Sequence, residues 1–360
     1  MSEANELEAL REQTRVLRAA LEQTKLDLQR AGKQVENLQA EANHQRMAAE
    51  NSLNQMLEMR ESTSWRLTAP LRALAPHRPP RGVKKKQPRS KEPSIVQRFR
   101  DQVTLEAGDE SILNGAKKVA LVAAWTKTET QSKSISVYLG ELAQAGYAIV
   151  FISTSEAPGK LTFPHGLPQD TIVLRRPNVG YDFGSWALAL DRYPQVRQAQ
   201  HVLITNDSML GPFKPIQELL RQAEAPGADI TAATLSLQIT VHFQSFFVIF
   251  HDGVLDREPW RKFFDSIQEK KDKMDVVYAY EFGMHALCTR HSFSHRELFL
   301  PTDVNASTEN PTLASWAALV NKGFPFIKRT IYADPTTAHG GENLANFVRF
   351  HFDQDVEDWV

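Results

Sequence analysis

The sequence predicts an α/β protein in which a Rossmann-like, mostly parallel sheet with helices on both faces follows a long N-terminal coiled-coil helix. From about residue 110, apolar runs of strand length alternate with amphipathic helical segments, as is typical of a parallel sheet covered by helices. Earlier in the chain, apolar residues recur at the spacing of a heptad seam. We therefore expect a coiled coil at 1–62, an amphipathic segment and basic proline-rich linker at 63–109, and an α/β domain at 110–360.

Composition limits the possible classes of function. Hydrophobic residues make up 42% of the 360 residues, which is enough for a sizeable core. The formal net charge of −1 argues against nucleic-acid binding by the chain as a whole. Because Cys288 is the single cysteine and the N-terminus is polar, we expect a cytoplasmic protein without disulfides. No apolar run approaches the roughly 18 residues that span a bilayer, so we expect any membrane contact to be peripheral.

The coiled-coil prediction rests on one seam of residues separated by alternating steps of three and four. Its members are Leu7, Leu10, Thr14, Leu17, Leu21, Thr24, Leu28, Ala31, Val35, Leu38 and Ala42. A helix of this kind cannot bury its apolar stripe alone, so we expect self-association or binding to a partner protein. The alternative is a single amphipathic helix that lies on the folded domain.

A basic, proline-rich stretch follows and marks a domain boundary. Between Arg78 and Lys91 the chain carries several lysines and arginines but no acidic residue. Just before it, Trp65 and Leu67 stand beside arginines, a pattern that suits a short segment lying on anionic lipid. A solvated linker explains the same residues equally well, so both interpretations stay open.

The α/β domain is read from alternating strand and helix segments. The strands are predicted at 117–125, 148–154, 171–176, 201–207, 229–234, 246–250 and 276–280, with a further strand after Gly323 that leads to Lys328 and Arg329. Helices are predicted at 132–147, 186–193, 215–227, 310–323 and 342–359. Ligands of parallel sheets bind at the carboxyl ends of the strands. That rule selects the loops that follow Thr154, Arg176 and Thr205.

The loop after the third predicted strand carries the first group of candidate binding residues. They are Arg175, Arg176, Asn178, Gly180, Tyr181 and Asp182. Gly180 permits a positive φ angle or a close approach of the backbone to a ligand. The two arginines offer planar donors that suit a phosphate group.

The loop after the fourth predicted strand carries the second group, Asn206, Asp207 and Ser208. A carboxylate at a strand end is able to hold a hard divalent cation, which would bridge the oxygens of a diphosphate. The same residue types are also common in simple turns, so this group alone is a weak signal. Two polar groups after consecutive strands, however, indicate one shared ligand site.

These residues belong to a longer pattern that resembles a known family. The stretches RRPNVGYDFGSW, HVLITNDSMLGPF, FQSFFVIF, YEFG and NPTLASWAALVNKGFPFIKR closely resemble the rhamnan synthesis protein F family over roughly residues 117–335. That family comprises glycosyltransferase-like proteins of bacterial cell-surface polysaccharide assembly, which includes lipopolysaccharide O-antigen. The resemblance implies a GT-A-like fold and transfer of a deoxyhexose, foremost rhamnose from dTDP-rhamnose, to a growing, lipid-linked glycan at the inner face of the cytoplasmic membrane.

The wider GT-A pattern, to which this sequence is similar, implies roles for single residues. Asn178 and Gly180 match a loop that contacts the nucleotide-sugar, and residues 206–208 occupy the place of an acidic metal-binding motif. Only one carboxylate, Asp207, is present there, so dependence on Mg²⁺ or Mn²⁺ stays open. His339 is a weaker candidate metal ligand. A metal-independent enzyme would neutralise the diphosphate with cations, and the candidates are Arg175, Arg176, Lys214, Lys328 and Arg329.

An inverting transfer needs a base to take the proton of the acceptor hydroxyl. Glu281 is the first candidate, because it stands between a predicted strand and a helix late in the domain, and Asp303 is the reserve. An acidic residue near a helix start is also ordinary dipole chemistry. His242 and Gln244 are expected on the acceptor side, although a structural role for His242 is the alternative.

A second class of function is a non-catalytic assembly protein of a polysaccharide synthase. In that case the coiled coil would organise the complex, for instance with a partner glycosyltransferase, and a degenerate nucleotide-sugar fold would serve for docking. The single carboxylate of residues 206–208 favours this alternative. The dense polar groups in both loops favour the enzyme. Nucleic-acid binding through the basic linker is not supported, because the stretch lacks interleaved aromatic residues.

Overall fold

The computed structural model describes residues 92–304, 306 and 309–360. The predicted coiled coil and the linker up to residue 91 lie outside the described residues. The strands in chain order are β1 Thr104–Ala107, β2 Lys118–Ala124, β3 Ala148–Ser153, β4 Ile172–Arg175, β5 His201–Asn206, β6 Met209–Leu210, β7 Ile230–Ser236, β8 His242–Phe243, β9 Phe247–His251, β10 His295–Phe299 and β11 Ile327–Lys328.

Helices connect and cover these strands. The α-helices are α1 Ile95–Phe99, α2 Lys133–Gln144, α3 Tyr181–Arg192, α4 Gln217–Ala223, α5 Glu258–Asp265, α6 Lys273–Val276, α7 Phe282–His291, α8 Pro311–Ala314, α9 Trp316–Asn321, α10 Arg329–Ala333 and α11 Leu344–Phe352. A π-helical turn, Val277–Glu281, joins α6 to α7. Short 3₁₀ turns lie at Arg100–Gln102, Glu110–Leu113, Pro194–Gln198, Val254–Asp256, Pro301–Val304, Pro335–Thr337, Gly341–Asn343 and Val356–Trp359.

A large mixed sheet forms the centre of the domain, in the order β1-β4-β3-β2-β5-β9-β7-β10, with β8 paired to β7. Strands β4, β3, β2 and β5 are parallel, β9 is antiparallel to β5 and β7, and β10 is parallel to β7. The chain runs outward from β2 through β3 to β4 and then returns to place β5 on the other side of β2. The sheet therefore has a topological switch point between β2 and β5, where ligands of such sheets bind.

Two hydrophobic layers cover the two faces of the sheet. Alternate residues of β2 point to opposite sides: Leu121 belongs to one buried cluster and Val122 to the other. Trp186 of α3 packs in the first cluster, and Leu139 of α2 packs in the second. This alternation explains why the buried parallel strands read as continuous apolar runs in the sequence. The predicted α/β architecture, with helices on both faces of the sheet, is the one that the described residues form.

Local sequence signals set the ends of α2. Ser132 caps its N-terminus by accepting a hydrogen bond from the backbone N–H of Ile135, as serine commonly does at this position. Gly146, just beyond its end, has a φ of +81°, a conformation that glycine adopts without strain. The predicted stop near Gly146 is therefore confirmed.

One predicted strand is wrong. The segment 276–280 was expected to be extended because valine and tyrosine favour strands, but it is helical and includes the π turn between α6 and α7. Its buried residues, Val276, Tyr280, Met284 and Cys288, recur every four positions and share one helix face. Packing of that face overrides the local strand preference.

Several helix boundaries also differ from the prediction. The helix expected at 342–359 ends at Phe352, and a separate 3₁₀ turn follows at Val356–Trp359. The helix expected at 186–193 begins at Tyr181, so Asp182 lies in its first turn, where the helix dipole favours a carboxylate. The helix expected from residue 310 to Gly323 is broken at Ser315 into α8 and α9. Within the part of the chain that the structure describes, no helix is both long and apolar enough to cross a membrane.

Candidate functional site

A cleft of about 740 Å³ opens at the topological switch point. Its walls include the loop that follows β2, starting at Trp125, and the residues that follow β5, Asp207 and Ser208. The start of α3 contributes Tyr181 and Asp182, so both predicted polar loops reach the same cleft. The volume is in the range of pockets that bind small molecules and cofactors.

Two carboxylates meet at the floor of this cleft. The side chain of Asn206 donates a hydrogen bond of 2.7 Å to Oδ2 of Asp182 and links the two loops. Asp207 Oδ2 accepts the backbone N–H of Trp125 at 2.9 Å, so the ends of β5 and β2 are tied together. Burial raises the pKa of Asp182 to about 6, and the negative charge of Asp207 adds to this rise. Burial also raises the pKa of Asp207.

Basic residues line the same cleft beside the carboxylates. Lys328 and Arg329 are brought there by antiparallel pairing of β11 with β6, in which Lys328 lies opposite Met209. Arg329 donates from Nε to the carbonyl oxygen of Asp207 at 3.0 Å, and its backbone N–H donates to that of Ser208 at 2.9 Å. Burial lowers the pKa of Lys328, whereas the charges of Glu281 and Asp182 favour its protonated form. Lys273, at the start of α6, also lines the cleft.

Arg176 does not face a phosphate site, because its guanidinium is buried and fully engaged. It donates to the carbonyl oxygens of Pro177, Val179 and Tyr181 at 2.6–2.8 Å and to the hydroxyl of Ser185 at 2.8–2.9 Å. The side chain therefore acts as an internal brace for the loop between β4 and α3. The expectation that it binds phosphate is corrected, since all of its nitrogens already have partners.

Arg175 is likewise engaged away from the cleft. It forms an ion pair with Glu106 at 2.6 Å and donates to the carbonyl oxygens of Ala157 and Gly159. Its guanidinium thus holds the loop after β3 against β1. The structure places neither of the two predicted arginines among the residues that line the cleft.

The braced loop has an unusual backbone. Gly180 has a φ of +73°, and Tyr181 has a φ of +53° although it carries a side chain. Such conformations cost energy in non-glycine residues and are enriched at functional sites. Tyr181 lines the cleft and is 42% exposed, whereas Asn178 is exposed but does not line the cleft. Asn178 and Asp207 are therefore not brought to one ligand pocket as the sequence suggested.

Neither of the two predicted catalytic bases, Glu281 and Asp303, is among the residues that line the cleft. Glu281 ends the π turn, and its Oε1 accepts both the backbone N–H of Ser245 at 2.7 Å and the Ser245 hydroxyl at 3.0 Å. It does not line the cleft, although its charge acts on Lys328, which does. Asp303 accepts the backbone N–H of Leu300 at 2.9 Å and caps a short turn outside the cleft.

The predicted acceptor-side residues are buried and paired. His242 Nδ1 lies 2.8 Å from the carbonyl oxygen of Thr240, and its ring packs on Phe282. Gln244 Oε1 accepts the hydroxyl of Thr234 at 2.8 Å. These contacts correspond to the structural alternative that the sequence left open for His242.

His339 and Lys214 also lie apart from the carboxylates. His339 lines a separate cavity of about 700 Å³, together with Glu309, Asn310 and Glu342. Lys214 is near Gly323 and is not among the residues that line the cleft. The structure therefore does not bring His339 and Asp207 into one metal site.

The donor set at the cleft floor fits a divalent cation in part. Among the described residues, no group of three or more His, Cys, Asp or Glu side chains is arranged to hold a metal ion. Asp182 and Asp207 nevertheless suit Mg²⁺ or Mn²⁺, because such ions are commonly held by one or two carboxylates together with substrate phosphates. The pKa of Asp182 is raised first by burial and then by the negative charge of Asp207, and a bound cation would offset that repulsion.

Trp125 and Lys273 are cleft residues that sequence reasoning missed. The strand-end rule was applied to the loops after Thr154, Arg176 and Thr205 but not to the loop after the first strand. The signal was present, because the first strand of a doubly wound sheet lies beside the switch point. Lys273 had no such signal, since it precedes a segment, 276–280, that was predicted to be a strand.

A doubly wound sheet with an acidic pair and neighbouring cations at its switch point defines an α/β protein with a polar ligand-binding cleft. The chain belongs to the rhamnan synthesis protein F family, whose model matches residues 150–359. This match confirms the resemblance seen in the sequence, although it begins later and extends further than the stretch first identified.

Individual proteins are more distantly similar. The "Virulence protein VirA" of Vibrio anguillarum (strain ATCC 68554 / 775) is 28% identical over 200 residues, which cover 47% of this chain and 64% of that protein. A second protein of the same description from Vibrio anguillarum gives the same values. The chain thus spans 64% of the length of these curated relatives. A solved structure of a glucose-1-phosphate thymidylyltransferase from Bacillus anthracis, in complex with sucrose, is 9% identical, with a TM-score of 0.29 over 50% of this chain and 87% of that chain.

Proposed function

We propose that this protein is a GT-A-like glycosyltransferase that moves a sugar, rhamnose or another deoxyhexose, from a nucleotide-sugar to a growing cell-surface polysaccharide. The observation that carries the proposal is the pair Asp182 and Asp207, linked through Asn206 at the switch point of the sheet. Cations and carboxylates in one cleft suit a donor that carries a diphosphate and a sugar with several hydroxyl groups. Membership of the rhamnan synthesis protein F family supports the same function.

The diphosphate would lie between the carboxylate pair and the basic residues. Lys328, Arg329 and Lys273 would neutralise its charge directly, and charge that develops on the leaving diphosphate is stabilised best by groups that are already in place. If a Mg²⁺ or Mn²⁺ ion binds, Asp182 and Asp207 would hold it, and it would supply further charge neutralisation to the diphosphate. These residues are compatible with both a metal-dependent and a metal-independent transfer reaction.

We propose Glu281 as the base of an inverting, single-displacement reaction. Its carboxylate is held by Ser245 beside Lys328, so the residue is fixed close to the cation that lines the cleft. To take a proton from an acceptor hydroxyl, Glu281 would have to exchange its bonds to Ser245 for one to the acceptor. The pH dependence of transfer would then change in Glu281→Gln, whereas donor binding would be retained.

A lipid-linked glycan is the proposed acceptor, and the inner face of the cytoplasmic membrane is the proposed place of action. Peripheral contact through the segment before residue 91, and self-association through the predicted coiled coil, would keep the protein beside its acceptor. The rival function is a non-catalytic assembly role, in which the cleft binds a nucleotide-sugar without transferring its sugar. That role is favoured by the bonds that keep Glu281 out of the cleft.

The decisive experiment incubates the purified full-length chain with a panel of nucleotide-sugars that includes dTDP-rhamnose, and with membrane-extracted, lipid-linked glycan. Transfer and donor hydrolysis are measured with and without a chelator. We expect Asp207→Asn to reduce transfer at least about 100-fold, since it removes a charge at the reaction site. Asp170→Asn, a change of an exposed aspartate outside the cleft, is the matched control. Equal transfer by wild type and Asp207→Asn would refute the role of Asp207 in the reaction. The absence of both donor binding and transfer in the wild type would refute the proposed function, and donor binding without any transfer would favour the assembly role.

A further inference from the structure

The cleft has a second wall that the carboxylates and cations do not explain. This wall is the loop between β2 and α2, which begins at Trp125 and includes Gln131. Trp125 is 48% exposed, although its backbone N–H is fixed to Asp207. A large apolar ring left open beside a charged site is an unusual use of tryptophan unless a ligand covers it.

Gln131 is the second observation. The residue lines the cleft and is 1% exposed, yet neither its amide nitrogen nor its carbonyl oxygen has a hydrogen-bond partner among the described residues. A buried amide without partners is costly and uncommon in native structures. The carboxamide therefore gains free energy if a ligand supplies one donor and one acceptor at this wall.

The loop that carries both residues is held firmly. The backbone N–H of Gln131 donates to the carbonyl oxygen of Thr162, and that of Thr162 donates to Glu129, each at 2.9 Å. The Ser155 hydroxyl donates to the carbonyl oxygen of Thr128 at 2.9 Å. A wall braced in this way presents its side chains without a large ordering cost on binding.

We propose that this wall binds the nucleobase of a nucleoside diphosphate, with the base stacked on Trp125 and its edge paired with the carboxamide of Gln131. The inference rests on the proposed function, because it assigns one half of the donor to this part of the cleft. Bases stack on aromatic side chains, and a glutamine amide pairs with adjacent donor and acceptor groups of a base. The side chain of Gln131 would rotate when the ligand binds, so that its buried carboxamide faces the base.

The position of Trp125 fits the covalent structure of the ligand. Its backbone is bonded to Asp207, which faces the proposed diphosphate site, so the indole is attached next to that site. In a nucleoside diphosphate only the ribose separates the base from the phosphates. Tyr181 is also exposed in the cleft, but it lies on the loop of Asp182, away in sequence from Gln131.

The test measures binding by calorimetry for dTDP, UDP, GDP, ADP and CDP, with inorganic pyrophosphate as a probe of the diphosphate half alone. We expect at least one nucleotide, dTDP foremost, to bind the wild type at least ten-fold more tightly than pyrophosphate. Trp125→Ala should weaken that nucleotide about ten-fold or more, and pyrophosphate less than two-fold, since the bond of the backbone N–H to Asp207 is kept. Trp125→Phe should retain most of the affinity.

Gln131→Met separates a ligand role from a structural one. The substitution nearly conserves shape and removes two unpaired polar atoms, so the melting temperature should stay equal or rise while nucleotide affinity falls about ten-fold. Tyr278→Ala, which removes an exposed aromatic ring outside the cleft, is the control for binding and should leave the nucleotide affinity unchanged.

The outcomes are distinguishable. If the wild type binds a nucleotide tightly but Trp125→Ala and Gln131→Met bind it equally well, the base site is wrong and the proposed function stands. A lower melting temperature of Gln131→Met with unchanged nucleotide affinity would likewise overturn the role of Gln131. If no nucleotide binds the wild type more tightly than pyrophosphate, both proposals fail.

Discussion

The charge of Asp182 should destabilise the empty protein at neutral pH, and Asp182→Asn tests this directly. The carboxylate lies beside Asp207 in the cleft, and its pKa is raised from 3.8 to about 6. A carboxyl group whose pKa is higher in the folded state costs stability when it ionises, and that cost grows as pH rises from the unfolded to the folded pKa. Asparagine removes the charge but still accepts the hydrogen bond from Asn206.

The magnitude follows from the two pKa values. Each pKa unit corresponds to about 1.4 kcal/mol. The folded and unfolded pKa values of Asp182 differ by about 2, so the gain in unfolding free energy on replacing Asp182 has an upper bound of about 3 kcal/mol at pH 7.5. From the same two pKa values, the upper bound on this gain is about half as large at pH 5. Because Asp182 is partly exposed to solvent, we expect Asp182→Asn to gain on the order of 1–3 kcal/mol at pH 7.5 and clearly less at pH 5.

Urea unfolding of the purified chain at pH 7.5 and pH 5, followed by tryptophan fluorescence, measures the gain as a shift of the unfolding midpoint. Asp170→Asn, an exposed aspartate, controls for the general loss of one negative charge. A variant that is less stable than wild type at pH 7.5, or that gains equally at both pH values, would show that the pKa of Asp182 is not raised in the folded protein as described.

Three further predictions concern the frame of the cleft. Arg176→Met should destabilise the protein by about 3 kcal/mol or more, since it removes the hydrogen bonds that the buried guanidinium donates to three loop carbonyl groups and to Ser185. A smaller loss in thermal unfolding would contradict the bracing role. Gly180→Ala should lower the free energy of unfolding by about 1–3 kcal/mol in the same assay. The reason is that φ of residue 180 is +73° and that the added Cβ would lie 1.9 Å from Ile95 Cδ1. A variant as stable as the wild type would refute this prediction. Burial, and then the positive charge of His201, lower the pKa of His251 from 6.5 to about 4. The unfolded chain therefore binds a proton more readily than the folded protein in this range, and the free energy of unfolding should fall by about 3 kcal/mol as pH drops from 6.5 to 4. Urea midpoints across that range should fall less in His251→Gln than in wild type, and parallel curves would exclude the histidine as the cause.

The sequence predicted the strands well where apolar runs ended in turn residues, as at β2, β3 and β5. It also predicted that the loops of Asp182 and Asp207 would share a site, because both follow parallel strands of one sheet. It could not predict the side of β2 on which β5 would lie, although the loop that carries Trp125 also follows the carboxyl end of a parallel strand. Strand order depends on long-range packing that local patterns do not contain.

Other misses have separate physical causes. Arg176 was taken for a phosphate ligand because arginine at a strand end has that chemistry, but whether its donors are free depends on the path of the next five residues. The π turn before Glu281 was read as a strand, since valine and tyrosine favour extended structure and the four-residue spacing of buried side chains becomes evident only over 276–288. The roles assigned to Glu281, His242 and Gln244 stay predictions.

The short ribbon of β6 and β11 has a consequence for how the cleft comes into being. It joins residues 209–210 to 327–328, so Asp182 and Asp207 are encoded more than a hundred residues before Lys328 and Arg329. Joining such distant stretches is slow relative to local contacts, because a long loop must close first. During synthesis the carboxylates are therefore made well before Lys328 and Arg329. A fragment that stops short of residue 327 would retain the strands of the large sheet and yet lack two of the three cations that are proposed to neutralise the diphosphate.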